Sequence, residues 1–167
     1  MLEIRLLGDP VLRQLAVEVD EIDDHLRRFA EEMFETMYSA EGIGLAAPQV
    51  GVSRRLFVMD IQDGEAEPRA VVNPVIVERS GSERGEEGCL SLPGLVGAVE
   101  RSAQIVMEGL DLDGNPLRIE ASDLLARCIL HEIDHLDGIL FIDRLSPIKR
   151  RMLLSKWKKL QKEERRR

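Results

Sequence analysis

The chain has 167 residues, 44% apolar and 32% charged, with two cysteines and a net charge of −8. That length and balance fit one folded domain and exclude wholesale disorder and a disulfide framework. No apolar run approaches the roughly 20 residues of a membrane span, and the first residues lack a secretory signal pattern, so the expected compartment is the cytoplasm, with no membrane contact.

The charge is uneven. Residues 144–167 hold eleven Lys/Arg and two Glu, a net of +9, which leaves −17 on the remainder. An acidic body excludes a general nucleic-acid-binding surface and any direct role on DNA, while the basic end is a local candidate for anionic partners. The chain therefore divides into a body, residues 1–146, and a basic helical extension, residues 147–167.

In chain order, Asp20 is the expected cap of a first helix, with Asp23 three residues on and Leu26, Phe29, Ala30, Met33 and Met37 at helical spacing. The helix should stop near Gly42. Residues 42–51 hold three glycines and a proline, which predicts an irregular loop. Residues 55–61 and 70–77 read as strands, the second broken by Pro74, and residues 104–110 as another. Asp113-Gly114-Asn115 signals a hairpin leading into residues 117–119. Ser122 is placed to cap a helix over residues 123–137 that ends at Gly138. Pro147 opens a last helix that runs into the basic end. The predicted class is α+β, with antiparallel sheets packed around a central metal-binding helix, plus an N-terminal and a C-terminal helix.

The central helix carries His131-Glu132-Ile133-Asp134-His135, an H-E-x-x-H pattern. Residues i and i+4 share a helix face, so both imidazoles can reach one divalent ion. Such an ion lowers the pKa of water from 15.7 to about 7, and a carboxylate at the position of Glu132 can take the proton. The third histidine, His25, falls on a polar helix flank. A catalytic metal usually has three protein ligands. No histidine lies downstream of His135, which leaves the cysteines or an acid. Cys128 shares the helix, but its Cα lies about 10 Å along the axis from that of His135, too far for one ion to bridge. Cys128 is expected to pack or to line a pocket one turn below. Cys89 is free to approach from another element and is the favoured third ligand.

Three stretches carry a family resemblance: Gly42-Ile-Gly-Leu-Ala-Ala-Pro-Gln49, Glu87-Gly-Cys-Leu-Ser91 and His131-Glu-Ile-Asp-His-Leu-Asp-Gly138. In this order they resemble the signature motifs of the peptide deformylases. Gly8-Asp-Pro-Val-Leu-Arg13 and Phe141-Ile-Asp-Arg-Leu-Ser146 extend the likeness over nearly the whole chain. The resemblance implies removal of formyl from the N-terminal formylmethionine of nascent peptides. It implies that Cys89, His131 and His135 hold one divalent ion, iron(II) first, with zinc, nickel or cobalt as alternatives. Glu132 would be the acid/base, and Gln49 and the Leu90 N–H would face the formyl oxygen. Gly44, Ile43 and Cys128 are the expected substrate contacts. Many family members carry an Arg a few residues past the cysteine motif, where this chain has Leu95-Val96-Gly97, and the next basic residue is Arg101. That difference bears on how peptide beyond the methionine is held.

Two rival readings share the motif. A zinc endoprotease would need a downstream ligand that the sequence does not offer. A ribosome- or RNA-binding protein with a structural metal would need a fourth ligand and leaves Glu132 without a task. The basic helix suggests a ribosome contact in either the enzyme or the binding-protein reading.

Overall fold

The structure, a computed structural model, describes residues 1–167. The first helix, α1 (Asp24–Ser39), is followed by seven strands: β1 (Gly44–Ala46), β2 (Leu56–Met59), β3 (Arg69–Ser80), β4 (Glu83–Gly88), β5 (Val96–Arg101), β6 (Gln104–Leu110) and β7 (Pro116–Ser122). Helices α2 (Asp123–Leu136) and α3 (Pro147–Arg165) complete the chain. Five strands form one sheet in the order β1-β2-β3-β6-β7, and β4 and β5 form a separate hairpin. All of these pairings are antiparallel. The class is α+β, as the sequence predicts, and no helix is long and apolar enough to cross a membrane.

Strand β2 explains why helices cover both faces. Its side chains alternate sides, and all four residues are buried. Leu56 and Val58 pack with Leu26, Ala30, Met33 and Met37 of α1, while Phe57 and Met59 pack with Ile129, Ile133 and Leu136 of α2. A third cluster joins Leu12, Leu92, Leu95, Val99 and Phe141 to Trp157 of α3, with Leu153 and Leu160 against it. The basic helix is therefore docked on the body along one apolar face.

Several local expectations are corrected. Asp23, not Asp20, caps α1: its carboxylate accepts from the Leu26 N–H at 2.9 Å. The chain before it is held extended, because the Asn73 side chain bonds both the N–H and the C=O of Val19 at 2.9 Å. Ser122 precedes α2 but makes no side-chain cap. The glycine-rich stretch 42–51 is ordered as β1 and a 3-10 turn, Ala47–Val50, in which every residue is buried. Burial of Leu45, Ala46 and Ala47 outweighs the weak local propensity there. Pro74 does not break β3. The ladder to β2 ends at Val72, and the ladder to β6 shifts register between Val72 and Val75, so no pairing demands its missing N–H. The hairpin β4–β5 is absent from the sequence-based expectation, because Glu-Arg-Gly-Glu-Glu-Gly carries no apolar alternation.

Candidate metal centre and active site

Helix α2 presents His131 and His135 one turn apart, and Cys89 reaches them from the turn that follows β4. The Cys89 sulfur lies 3.3 Å from His135 Nε2, and the two Nε2 atoms lie 3.2 Å apart. All three donor atoms fall within 4.8 Å of one another, so they can hold one metal ion. Donors bonded to one tetrahedral ion at 2.0–2.3 Å are roughly 3.4–3.6 Å apart, close to the spacing seen. Cys128 is outside this group. It is buried one turn away, with its thiol 3.6 Å from the Ile43 carbonyl.

The electrostatics fit a cation at this point. Nδ1 of His131 meets Glu87 Oε1 at 2.8 Å, so the ring donates there and turns the Nε2 lone pair inward. Burial disfavours a charged His131, but the Cys89 sulfur and Glu87 outweigh it and raise its pKa well above the usual histidine range. Burial and the His131 ring push His135 the other way, well below that range.

Glu132 is 4% exposed, and its Oε1 has no hydrogen-bond partner. Burial pushes its carboxyl up to about 7. A cavity of about 420 Å³ opens beside it, lined by Ile43, Gly44, Gln49, Cys89, Leu90, Leu124, Cys128, His131 and Glu132 among others. Gly44 makes this approach physically feasible: a Cβ there would lie 2.5 Å from Glu132 Oε2 and 2.9 Å from the Cys128 sulfur. Gln49 is buried and fixed. Its Oε1 accepts from the Ala46 N–H at 2.9 Å, which turns Nε2 toward Ser91 Oγ (3.2 Å) and the Cys89 sulfur (3.5 Å). The Leu90 N–H has no partner within the protein. Gln49 Nε2–H and Leu90 N–H are two donors beside the metal-holding atoms. Eight of the nine residues singled out from the sequence line this cavity, and the ninth, His135, lies against Cys89 and His131 outside its lining.

Sequence reasoning missed the polar network behind the histidines. Glu87 accepts from Arg101 Nε (2.6 Å) and Nη2 (2.9 Å), and from Arg127 Nη1 (2.8 Å), as well as from His131. Arg101 also donates to Asp134 at 2.8 Å, and Arg144 reaches Asp134 at 2.8 Å. Burial works to raise the Glu87 carboxyl, but Arg101 and His131 overcome it and hold it at about 2. One signal was available. Arg127, His131 and Asp134 stand at four- and three-residue spacing, so they share a helix face.

This site is that of a metal-dependent hydrolase, and comparison with known proteins identifies its family. Residues 1–151 match the sequence profile of the polypeptide deformylases. The chain is 49% identical to the peptide deformylase of Alkalilimnicola ehrlichii over 161 residues, covering 96% of this chain and 90% of that one. It is 50% identical to that of Hydrogenovibrio crunogenus, over 95% of this chain and 94% of the relative. The peptide deformylase structure from Legionella pneumophila superposes with a TM-score of 0.94 at 44% identity, covering 100% of this chain and 99% of that one. The chain belongs to the peptide deformylase family, whose function is hydrolysis of the formyl group from N-terminal formylmethionine. It is accordingly a metal-dependent amidohydrolase.

Proposed function

We propose how this chain's own residues perform that deformylation. Cys89, His131 and His135 hold one divalent ion, iron(II), and the observation that carries the reading is their convergence beside the unpartnered Glu132 carboxylate. One thiolate and two imidazoles also suit zinc, nickel or cobalt. The bound ion would acidify water and polarise the formyl carbonyl.

Glu132 takes a proton from the attacking water and returns it to the leaving nitrogen, so the products are formate and a free N-terminal amine. Burial favours the protonated carboxyl, which lets Glu132 hold that proton between the two halves of the transfer. The Gln49 amide and the Leu90 N–H donate to the oxygen as negative charge builds on it, and one such donor is worth about 10² to 10³ in rate. Gly44 and Ile43 receive the peptide backbone along β1. Cys128 helps wall the space for the methionine side chain. With Val96 at the cavity edge in place of a basic residue, apolar contact there holds the chain beyond the methionine.

Residues 1–146 carry this chemistry, and the helix from Pro147 docks the enzyme on the ribosome, where formylated chains emerge. That substrate places the enzyme in the cytoplasm. The direct test is formate release from a formyl-methionyl peptide by the iron(II)-loaded protein under exclusion of air. Absence of release rejects the reading. Loss of activity in air, with cobalt- or nickel-loaded protein unaffected, supports iron(II). Indefinite activity of the native protein in air points to zinc.

A further inference from the structure

The three metal-holding atoms come from two separate pieces of the fold. His131 and His135 share α2, whereas Cys89 follows β4 of a hairpin that makes no ladder with the main sheet. An isolated two-stranded hairpin is marginal by itself. Strand β4 buries only one residue, Glu87, and Val99 of β5 packs in the Phe141–Trp157 cluster and not against α2. An apolar face is therefore not what fastens this hairpin to the helix.

Arg127 lies one turn before His131 on α2. Its Nη2 donates to the Glu83 carbonyl at 2.8 Å, and its Nη1 to the Val99 carbonyl at 2.8 Å and Glu87 Oε2 at 2.8 Å, with the Gly85 carbonyl at 3.4 Å. One guanidinium thus joins both strands of the hairpin to the helix. Gly85 leaves it room, since a Cβ there would lie 3.0 Å from Nε and Cζ. The same Glu87 that takes Arg127 on Oε2 takes His131 on Oε1, two residues before Cys89.

We propose that Arg127 is a positioning residue that clamps the hairpin bearing Cys89 onto the helix bearing His131 and His135, and so sets the geometry of the metal-holding atoms. The proposal rests on the assignment of those three residues as ligands. Cobalt(II) tests it, because its thiolate charge-transfer absorption reports the Cys89–metal contact directly. Affinity is read by competition between the full-length protein and a chelator. Arg127→Met keeps the stem and loses the fork. With α-helical content unchanged by circular dichroism, it should bind cobalt about 10- to 100-fold more weakly, with a shifted or reduced thiolate band. Arg127→Lys restores charge without the fork and should recover part of both. Gly85→Ala keeps every bonding group but crowds the guanidinium, and should move both readouts the same way by less. A folded Arg127→Met protein with wild-type affinity and band overturns the proposal. If that variant does not fold, wild-type values in both Arg127→Lys and Gly85→Ala overturn it. Wild-type protein that takes up no cobalt overturns the ligand assignment along with it.

Discussion

Helices α2 and α3 are both rich in polar residues, and they use them in opposite ways. Ten of the 14 residues of α2 are buried, whereas Trp157 alone is buried among the 19 of α3. The ionic groups of α2 that face the hairpin are matched to named partners: Arg127 and His131 to Glu87, Asp134 to Arg101 and Arg144. Of the cations on α3, only Arg150 has a carboxylate within reach, Asp143 at 3.4 Å. A buried charge with fixed partners acts at one point and tolerates no displacement. An exposed, unpaired charge acts at a distance and is screened by salt. On the proposed reading α2 serves chemistry and α3 attraction, so variants in the two should fail in different assays.

The largest effects should come from the two groups proposed to touch the reaction, Glu132 and Cys89. Glu132→Gln keeps the shape of a residue that holds no metal, so metal content should stay at the wild-type level. The rate should fall by about 10²- to 10⁴-fold, the range of a lost general acid–base group. Full activity in the metal-loaded variant would show that the proton moves elsewhere. The cysteines make a sharper pair. Cys89→Ala should lose metal on dialysis and with it activity, whereas Cys128→Ala should retain both, with a modest change in stability or in the preference for methionine. Metal analysis showing the reverse would place the ligand on α2 itself.

Next in size is Arg101→Met. Arg101 is 8% exposed and joins two acids, so its loss would leave Glu87 to Arg127 and His131 alone and Asp134 to Arg144 alone. Leaving a buried charge wholly uncompensated costs about 3–5 kcal/mol, and because both acids keep an arginine the loss here should fall below that. A denaturant titration should show a lowered midpoint, and metal affinity should fall as Glu87, the acceptor of His131, is held less firmly. An unchanged midpoint would mean that the network is dispensable for stability.

This contrast also explains what could be read from the sequence. The His131–His135 spacing is legible because metal binding itself demands it, and a helix delivers it from local periodicity alone. Leu153, Trp157 and Leu160 stand at four- and three-residue spacing, an apolar stripe that periodicity shows without showing what it meets. Glu87, Arg101 and Asp134 were not legible as a unit. Their bonds span 14 and 33 residues, and each alone looks like an ordinary surface charge. The same cause hid β4, whose glutamates and arginine deny any strand pattern until Arg101 and Arg127 are folded against them. The cap of α1 was misplaced by three residues because Asn73, far along the chain, decides where the extended segment ends.

The smallest effect on chemistry, and the one that best isolates α3, is charge reversal on its outer face. Truncation is a poor probe, because it would pull Trp157 out of a buried cluster that includes Leu92 and Leu95, next to the cavity. Arg151, Lys156 and Lys159 are exposed, lie along one side of the helix, and touch none of the site. Replacing all three with Glu should leave hydrolysis of a short formyl-methionyl peptide at the wild-type rate. The ribosome presents mostly phosphate, and residues 1–146 carry −16, so without the basic helical extension the enzyme would be repelled. The triple variant should therefore be lost from ribosome pellets at low salt. Its residual binding should depend less steeply on salt, by about one unit of log–log slope for each phosphate contact removed. Equal co-sedimentation of variant and wild type across the salt series would reject the docking role and leave α3 as a packed helix with a solvated outer face.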